Sequence, residues 1–331
     1  MNKRVILYDM SVADDVLVEN EYLRRNGLQN RYEIVKLALD TPEFKAISAI
    51  AAGACIYTPL TEERLATMPR VEICAIPALG TDMAYVEAAD NAGIYISNAS
   101  VYCTEEVATH SVALILDSVR RVSRFNSSIK EGRWNIHDGG VLHRLSGATH
   151  GLVSFGRIAR EVARMMHDGF GVKLKAYDPL LPDSVFEEAG VARVNSIEEL
   201  MATCDIVSVH TPLFPNTRHM ITKKHFDAIA KPILFVVTSR GGVVVEEDLR
   251  DAILDGKVLS AGIDVIEDEQ TFRSCLFELP EVTATPHVAY YTEESDRDLR
   301  EINLADILEV LEYRRPPKNL INHSVNGKAR V

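Results

Sequence analysis

A strand, a tight turn and a helix follow one another between Gly151 and Asp168, and the turn reads Ser154-Phe-Gly-Arg-Ile-Ala159. A glycine-marked turn that leaves a strand and opens a helix aims backbone N–H groups at a phosphate. Such turns occur inside βαβ units of parallel sheets. The usual pattern is Gly-x-Gly-x-x-Gly or Ala. Gly156 fills the slot where backbone approaches a pyrophosphate, and Ala159 still allows close helix–strand packing. Ser154 stands where glycine usually makes the tight turn. Alone this turn is a weak signal. Asp178-Pro179 strengthens it, because Asp178 ends the next strand at about the 20-residue spacing of a ribose-binding acid. The bland alternative for Asp178-Pro179 is a plain turn. A carboxylate there takes both adenosine-ribose hydroxyls and repels a 2′-phosphate. NAD is therefore the expected cofactor, with Phe155, Gly156, Arg157 and Ile158 around its phosphates.

The rest of the chain alternates in the same way, which makes it an α/β protein. Strands are expected at Val5–Tyr8, Ala54–Tyr57, Val71–Ile76 and Ile94–Ile96, with helices from Glu62 and over Tyr85–Ala92. Thr104–Val122 reads as one long helix, capped by Thr104, with Glu105 and Glu106 in its first turn and Arg120 and Arg121 in its last. Val107, His110, Val112, Leu114 and Ile115 are too apolar a set for a solvent-facing helix, so packing against a second subunit or the core is expected. Ser127–Ser146 is polar and weakly periodic and reads as an extended arm. Further units are regular: strands at Gly151–Ser154, Val172–Tyr177, Asp205–His210, Pro232–Thr238, Val258–Val265 and Val282–Thr285, and helices at Arg157–Asp168, Ile197–Ala202 and Glu246–Asp255. A last helix covers Glu293–Leu311. The expected fold is two Rossmann-like domains with doubly wound parallel sheets. Residues 102–293 form the NAD-binding domain. Residues 1–101 and 294–331 form a discontinuous substrate-binding domain closed by the C-terminal helix.

Composition excludes some partners. A formal net charge of −12 argues against nucleic acid and anionic membrane. No apolar run is long enough to span a bilayer, and Met1-Asn-Lys-Arg leads straight into a strand rather than a signal peptide. Five scattered cysteines (Cys55, Cys74, Cys103, Cys204, Cys275) form no CxxC pair. No metal or disulfide is expected, and a cytoplasmic location is.

Three further stretches carry chemistry: Ser239-Arg-Gly-Gly242, Asp264-Val-Ile-Glu-Asp-Glu269 and Thr285-Pro-His287. They supply a cation, an acid and an imidazole downstream of the nucleotide turn. Hydride transfer at a carbonyl beside a carboxylate needs these three. Arginine fixes the carboxylate, histidine moves the proton, and glutamate sets the basicity of the histidine. Each has a bland reading: a surface ion-pair arginine, an acidic loop, a structural histidine after proline. Their joint occurrence in order favours the catalytic one.

Together with Tyr57-Thr-Pro-Leu-Thr61, Ala78-Leu-Gly-Thr-Asp82, Ser97–Ala108, Tyr177-Asp-Pro179, His210-Thr-Pro-Leu213 and Thr285–Tyr291, these stretches resemble the D-isomer-specific 2-hydroxyacid dehydrogenases. The likeness runs from about Ala54 onward and looks nearest to the branch of the C-terminal-binding proteins. It implies an enzyme that interconverts a 2-keto acid and a D-2-hydroxy acid with NAD. By resemblance Arg240 binds the substrate carboxylate, His287 is the acid/base and Glu269 is its partner. Thr104, His210, Thr211, Pro212, Thr217, Thr238 and Ser239 line the cofactor groove, and Asp264 meets the nicotinamide carboxamide. Tyr57, Leu79, Gly80, Tyr102 and Tyr290 form the substrate pocket, with Leu79-Gly80 offering backbone N–H groups to the carboxylate. A homodimer built on Thr104–Val122 and the Ser127–Ser146 arm is expected.

The chain departs from the family at Ser154, at Val237 in place of Asn, at Thr109 in place of Glu and at Gln270 in place of Pro. Cofactor affinity and turnover are what these departures bear on, more than fold. Glu269 argues against a formate dehydrogenase, whose slot resembles Gln. No extra cation marks a pocket for a phosphorylated acid or phosphite. The chain ends soon after Asn322-His-Ser-Val325, so no appended regulatory domain is expected. The alternative from another class is an NAD-binding regulator, similar to the corepressor use of this fold, with little or no turnover.

Overall fold

The computed structural model describes residues 3–10, 15–82 and 84–323. Met1 and Asn2, in the stretch read for a signal peptide, lie outside these residues, and so do positions 324–331 of the expected discontinuous domain. The chain divides into two compact units. One runs to Cys103 and resumes at Thr292. The other is Thr104–Tyr291.

The first unit holds β1 (Arg4–Asp9), α1 (Leu17–Arg25), β2 (Tyr32–Leu37), α2 (Pro42–Ser48), β3 (Gly53–Cys55), α3 (Glu62–Ala66), β4 (Ile73–Ile76), α4 (Val86–Ala92) and β5 (Tyr95–Asn98). Its parallel sheet has the order β2-β1-β3-β4-β5. Local signals set the ends. Thr41 and Thr61 accept from Phe44 N and Arg64 N to cap α2 and α3, and α4 stops at Gly93, whose φ is +68°.

The second unit holds α5 (Thr104–Arg120), α6 (Val122–Lys130), β6 (Thr149–Val153), α7 (Arg157–Phe170), β7 (Lys173–Tyr177), α8 (Asp183–Glu188), β8 (Ala192–Arg193), α9 (Ile197–Thr203), β9 (Ile206–Val209), α10 (Lys223–Asp227), β10 (Ile233–Val237), α11 (Glu246–Leu254), β11 (Val258–Ile263) and β12 (Val282–Ala284). Its parallel sheet has the order β12-β11-β10-β9-β6-β7-β8. The chain then returns to the first unit as α12 (Glu293–Leu311).

Each sheet is covered on both faces, so its central strands are largely apolar, with His150 of β6 and Ser208 of β9 as buried polar exceptions. In the first unit Leu23 of α1 and Leu304, Ile307, Leu308 and Leu311 of α12 cover one face. Phe44, Leu65 and Ala89 cover the other. In the second unit α5 and α7 pack one face, while Leu200, Phe226 and Leu249 pack the other. The C-terminal helix is sewn in by polar groups as well. Arg300, buried at 5% exposure, forms a two-pronged pair with the buried Glu19 of α1 at 2.9 and 2.6 Å. Past the helix, Ile321 N donates to Ile96 O at 2.8 Å, and Asn322 Oδ1 accepts from Ile96 N at 2.7 Å. Among the described residues no helix is long and apolar enough to cross a membrane. The five cysteines form no disulfide.

Two expectations are corrected. The long helix ends at Arg120, because Arg121 is left-handed with φ +54°. Residues 122–130, partly assigned to an extended arm, form α6 instead. Its first turn is held by Asp117, whose Oδ1 accepts from Ser123 N at 2.8 Å and Ser123 Oγ at 3.0 Å. That anchor belongs to the preceding helix, so the local pattern around Ser127 does not reveal it. The apolar positions of α5 are also accounted for: Val107, Val112, Leu114 and Ile115 are buried within their own unit. They give no reason of their own for a second subunit.

Candidate active site

The proposed catalytic and cofactor residues of the second unit gather at the carboxyl ends of its strands, where open α/β sheets bind ligands. The turn after β6 is built as its sequence requires. Ser154 takes φ +70°, the conformation glycine adopts without cost. A serine held there costs on the order of 1 kcal/mol. Two contacts hold it: Ser154 N donates to Tyr177 O at 2.8 Å, and Ser154 Oγ lies 3.0 Å from Thr211 Oγ1. Gly156 then opens α7 in extended backbone. A side chain there would meet nothing within 4 Å, so its surface stays clear for a ligand.

Phe155 sits below the turn rather than on it. Its ring is buried against Phe186, 5.3 Å away, and its N–H donates to Asp178 Oδ2 at 3.0 Å. Asp178 Oδ1 accepts from Leu180 N at 3.0 Å. The carboxylate is thus fixed at the end of β7 with lone pairs to spare for ribose hydroxyls. Arg157 and Ile158 form the first turn of α7.

The strands beside this turn add hydroxyls. Thr211 is buried under Ser154. Thr238 Oγ1 lies 2.6 Å from Ser111 Oγ of α5 and is tied to that helix. Thr217 closes its own loop, donating to Pro212 O at 2.7 Å and accepting from Phe214 N at 2.7 Å. Ser239 Oγ is buried and has no hydrogen-bond partner among the described residues. Such a hydroxyl, at the same carboxyl edge of the sheet as the turn after β6, fits a bound dinucleotide that would satisfy it. Thr104 begins α5.

Arg240 follows Ser239 and donates from Nη1 to Ser239 O at 2.9 Å. Gly241 after it is a contact point. A Cβ on Gly241 would lie 2.0 Å from Ile266 C and 2.4 Å from Glu267 N. The arginine loop therefore rests directly on the backbone of the loop that carries Glu269.

His287 Nδ1 lies 2.9 Å from Glu269 Oε2. The ring is 27% exposed and the carboxylate 43%. His287 has φ +51°, unusual for a side-chain-bearing residue, and Asp264 holds it there. Asp264 O accepts from His287 N at 2.7 Å. The buried Asp264 carboxylate accepts from Thr285 Oγ1 at 2.6 Å, Val288 N at 3.0 Å and Ala289 N at 2.9 Å. Asp264 thus organises the histidine turn. His110 of α5 joins this cluster at 2.9 Å from Thr285 Oγ1. Tyr290 stands edge-on to His287, with ring centroids 6.1 Å apart.

In the first unit Tyr57 follows β3 and Leu79-Gly80 follow β4, again at the carboxyl edge of a sheet. Tyr57 is 38% exposed, whereas Tyr102 is buried at 9%. Buried Asp9, at the end of β1, accepts from Tyr57 N and was not marked by any sequence motif.

His150 and His210 escaped pairing in the sequence because their link is not local. His150 Nε2 and His210 Nε2 each lie 2.8 Å from Ser208 Oγ. Burial pushes His150 down to about 3, with His210 adding to the effect, and pushes His210 down to about 4. Both are neutral in the folded protein near neutrality. An unfolded histidine binds its proton near pH 6.5. Below that pH the unfolded chain takes up protons that the folded chain refuses, so stability falls as pH drops from about 6.5 toward 4. Each ring contributes up to about 1.4 kcal/mol per pH unit. Denaturant midpoints of the second unit should drop between pH 7.5 and 5, and His150→Leu should flatten the drop.

A family model described as the D-isomer specific 2-hydroxyacid dehydrogenase, NAD binding domain, matches residues 112–289. The glyoxylate reductase of Thermococcus litoralis is 32% identical over 270 residues, covering 80% of this chain and 81% of that protein. The D-3-phosphoglycerate dehydrogenase of Methanocaldococcus jannaschii is 32% identical over 254 residues. The match covers 77% of this chain but 48% of that longer relative. Among solved structures, the Aquifex aeolicus D-lactate dehydrogenase complexed with NAD and lactic acid is similar with a TM-score of 0.83 and 25% identity. That match covers 96% of this chain and 99% of that one. The turn after β6, the aspartate that ends β7, a His–Glu pair and these likenesses agree: the chain belongs to the D-isomer specific 2-hydroxyacid dehydrogenases, a family of NAD-dependent oxidoreductases.

Proposed function

We propose that the protein reduces a 2-keto acid to the D-2-hydroxy acid and runs the reverse oxidation. The observation that carries this reading is the 2.9 Å contact between His287 Nδ1 and Glu269 Oε2 beside the Arg240 loop. With Nδ1–H directed at Glu269, Nε2 is the atom left to exchange a proton with the substrate oxygen. In reduction the protonated ring donates from Nε2 to the carbonyl oxygen. In oxidation the neutral ring takes the hydroxyl proton at the same atom. Arg240 binds the carboxylate through its planar fork and orients C2. Bound NADH supplies the hydride. Asp178, the opening of α7 at Gly156 and the buried hydroxyl of Ser239 would hold the dinucleotide. Tyr290 is the proposed side-chain contact of this unit, and Tyr57, Leu79, Gly80 and Tyr102 those of the first. The glyoxylate and hydroxypyruvate reductases among the relatives make small 2-keto acids the first substrates to try. Steady-state NADH oxidation across a panel of 2-keto acids tests the reading. NADH binding with no turnover of any of them would favour a regulator instead.

The fixed carboxylate of Asp178 leads to an expected cofactor preference. NADH should bind at least tenfold tighter than NADPH, and Asp178→Ala should narrow the gap, as read by calorimetry of both cofactors. Equal wild-type affinities would remove Asp178 from the ribose site.

We also propose a homodimer and a cytoplasmic location. Trp134, Ile136 and Val141 are 90%, 78% and 77% exposed on the segment after α6. Large apolar side chains left out together mark a surface for another protein. Light scattering at micromolar concentration should give twice the chain mass, and Trp134→Glu with Ile136→Glu should shift it toward the monomer.

A further inference from the structure

His150, Ser208 and His210 form a hydrogen-bonded row in an otherwise apolar layer. Residues 150 and 152 of β6 share a face, as do 206, 208 and 210 along and just past β9. Leu152 and Ile206 place that face under α5 and α7, among Ala163, Met166, Phe155 and Val236. His150 and Ser208 are fully buried. Apolar residues of similar shape would fill this layer at little cost, since a buried polar pair adds little net stability over such a replacement. Nothing about packing requires the row.

Its geometry fixes where the protons sit. His150 Nδ1 is buried and has no hydrogen-bond partner among the described residues. A buried N–H without an acceptor is rarer and costlier than a buried lone pair without a donor. His150 therefore carries its proton on Nε2 and donates to Ser208 Oγ, 2.8 Å away. The hydroxyl has one hydrogen, and it goes to His210 Nε2, also at 2.8 Å. His210 must then hold its own proton on Nδ1. That nitrogen has no partner among the described residues, yet it is not sealed off as His150 Nδ1 is. His210 N donates to Val153 O at 2.9 Å, so the backbone that carries the ring runs beside the strand end that leads into Ser154.

We propose that His150 is a positioning residue: through Ser208 it locks His210 in the Nδ1–H tautomer and so presents a hydrogen-bond donor to an oxygen of the bound dinucleotide. The ligand half of this inference rests on reading the groove after β6 as the cofactor site. The tautomer half stands on the row alone.

Long-range proton–nitrogen spectra of histidine-labelled protein at pH 7.5 report the tautomer directly. Wild-type His210 should be protonated on Nδ1. Ser208→Ala and His150→Leu should each release it to the Nε2–H form or a mixture and weaken NADH binding by about fivefold to tenfold, the scale of one hydrogen bond. His150→Gln places an N–H donor where Nε2 was and should restore both the tautomer and most of the affinity. A role confined to packing would change the unfolding midpoint and leave the tautomer alone. An Nε2–H form in wild type overturns the proposal. So does an unchanged tautomer in Ser208→Ala and His150→Leu. A shifted tautomer with unchanged NADH affinity overturns its ligand half. Failure of wild type to bind NADH at all would count against the cofactor site and leave the tautomer result readable.

Discussion

Gly241→Ala is expected to cost the second unit about 3 kcal/mol of stability and to lower kcat/KM on an active 2-keto acid by at least a hundredfold. The reason is space rather than backbone conformation, since Gly241 is not among the residues with positive φ. A methyl group there would lie 2.0 Å from Ile266 C, 2.2 Å from Ile266 O and 2.4 Å from Glu267 N. All three are main-chain atoms, so no side chain can swing away. The two loops must part, and overpacking of this kind costs 1–3 kcal/mol or more. The loops concerned carry Arg240 on one side and Glu269 on the other. A displacement near 1 Å in such groups costs on the order of 10²-fold in rate. Glu267 would move as well, with its pairs to Arg218 and His219 and its N–H bond to Glu246. The adjacent glycine is the control. The atoms nearest a Cβ on Gly242 would be those of the Leu213 and Arg218 side chains, at 3.4–3.5 Å. Gly242→Ala should fold and turn over nearly as wild type does. Denaturant midpoints and kcat/KM of the two variants, side by side, make the comparison. Equal behaviour would mean that the loop contact does not position the site.

What the sequence discloses and what it hides divide along one line, the distance along the chain over which a residue finds its partner. The turn at Ser154–Ala159 is local, and its demand for a left-handed first residue appears in the structure as φ +70° at Ser154. The C-terminal helix is local too: the sequence pattern and the structure both bound it at Glu293–Leu311, and Thr292 caps it through Ser295 N. By contrast α6 is anchored by an aspartate of the preceding helix, and its own Ser- and Asn-rich stretch does not reveal it. Helices α1, α2, α8 and α10 and strands β2 and β8 have no counterpart in the sequence reading. The Tyr32–Leu37 strand is at the sheet edge and half-buried, so it lacks the apolar run that marked the others. The link of His150 to His210 crosses two strands, and a lone histidine on a strand carries no mark of it. Asp264 adds another case: its carboxylate is engaged by Thr285, Val288 and Ala289, and the stretch around Asp264 does not show it.

His287→Ala is expected to reduce turnover in both directions by 10³-fold or more while NADH affinity stays within about twofold. General acid–base catalysis contributes roughly 10²–10⁴-fold, and alanine can neither give nor take the proton. NADH affinity should hold because the groups proposed to grip the dinucleotide, Asp178 and the opening of α7, lie at other strand ends. Glu269 acts through His287, so its variants should separate orientation from charge. Gln at this position still offers an oxygen to His287 Nδ1–H, so the ring keeps its direction, but the negative charge that steadies the protonated ring is gone. Glu269→Gln should therefore slow keto-acid reduction more than hydroxy-acid oxidation, because only reduction starts from the protonated form. Glu269→Ala removes the oxygen as well and should impair both directions. At 43% exposure Glu269 is screened by water, so the Gln effect should be about tenfold, well short of the loss on removing His287. Steady-state rates in both directions, with NADH dissociation constants for each variant, give the test. A His287→Ala enzyme that keeps a tenth of its activity would remove the histidine from the proton step. A Glu269→Gln enzyme slowed equally in both directions would mean that the pair works by geometry alone.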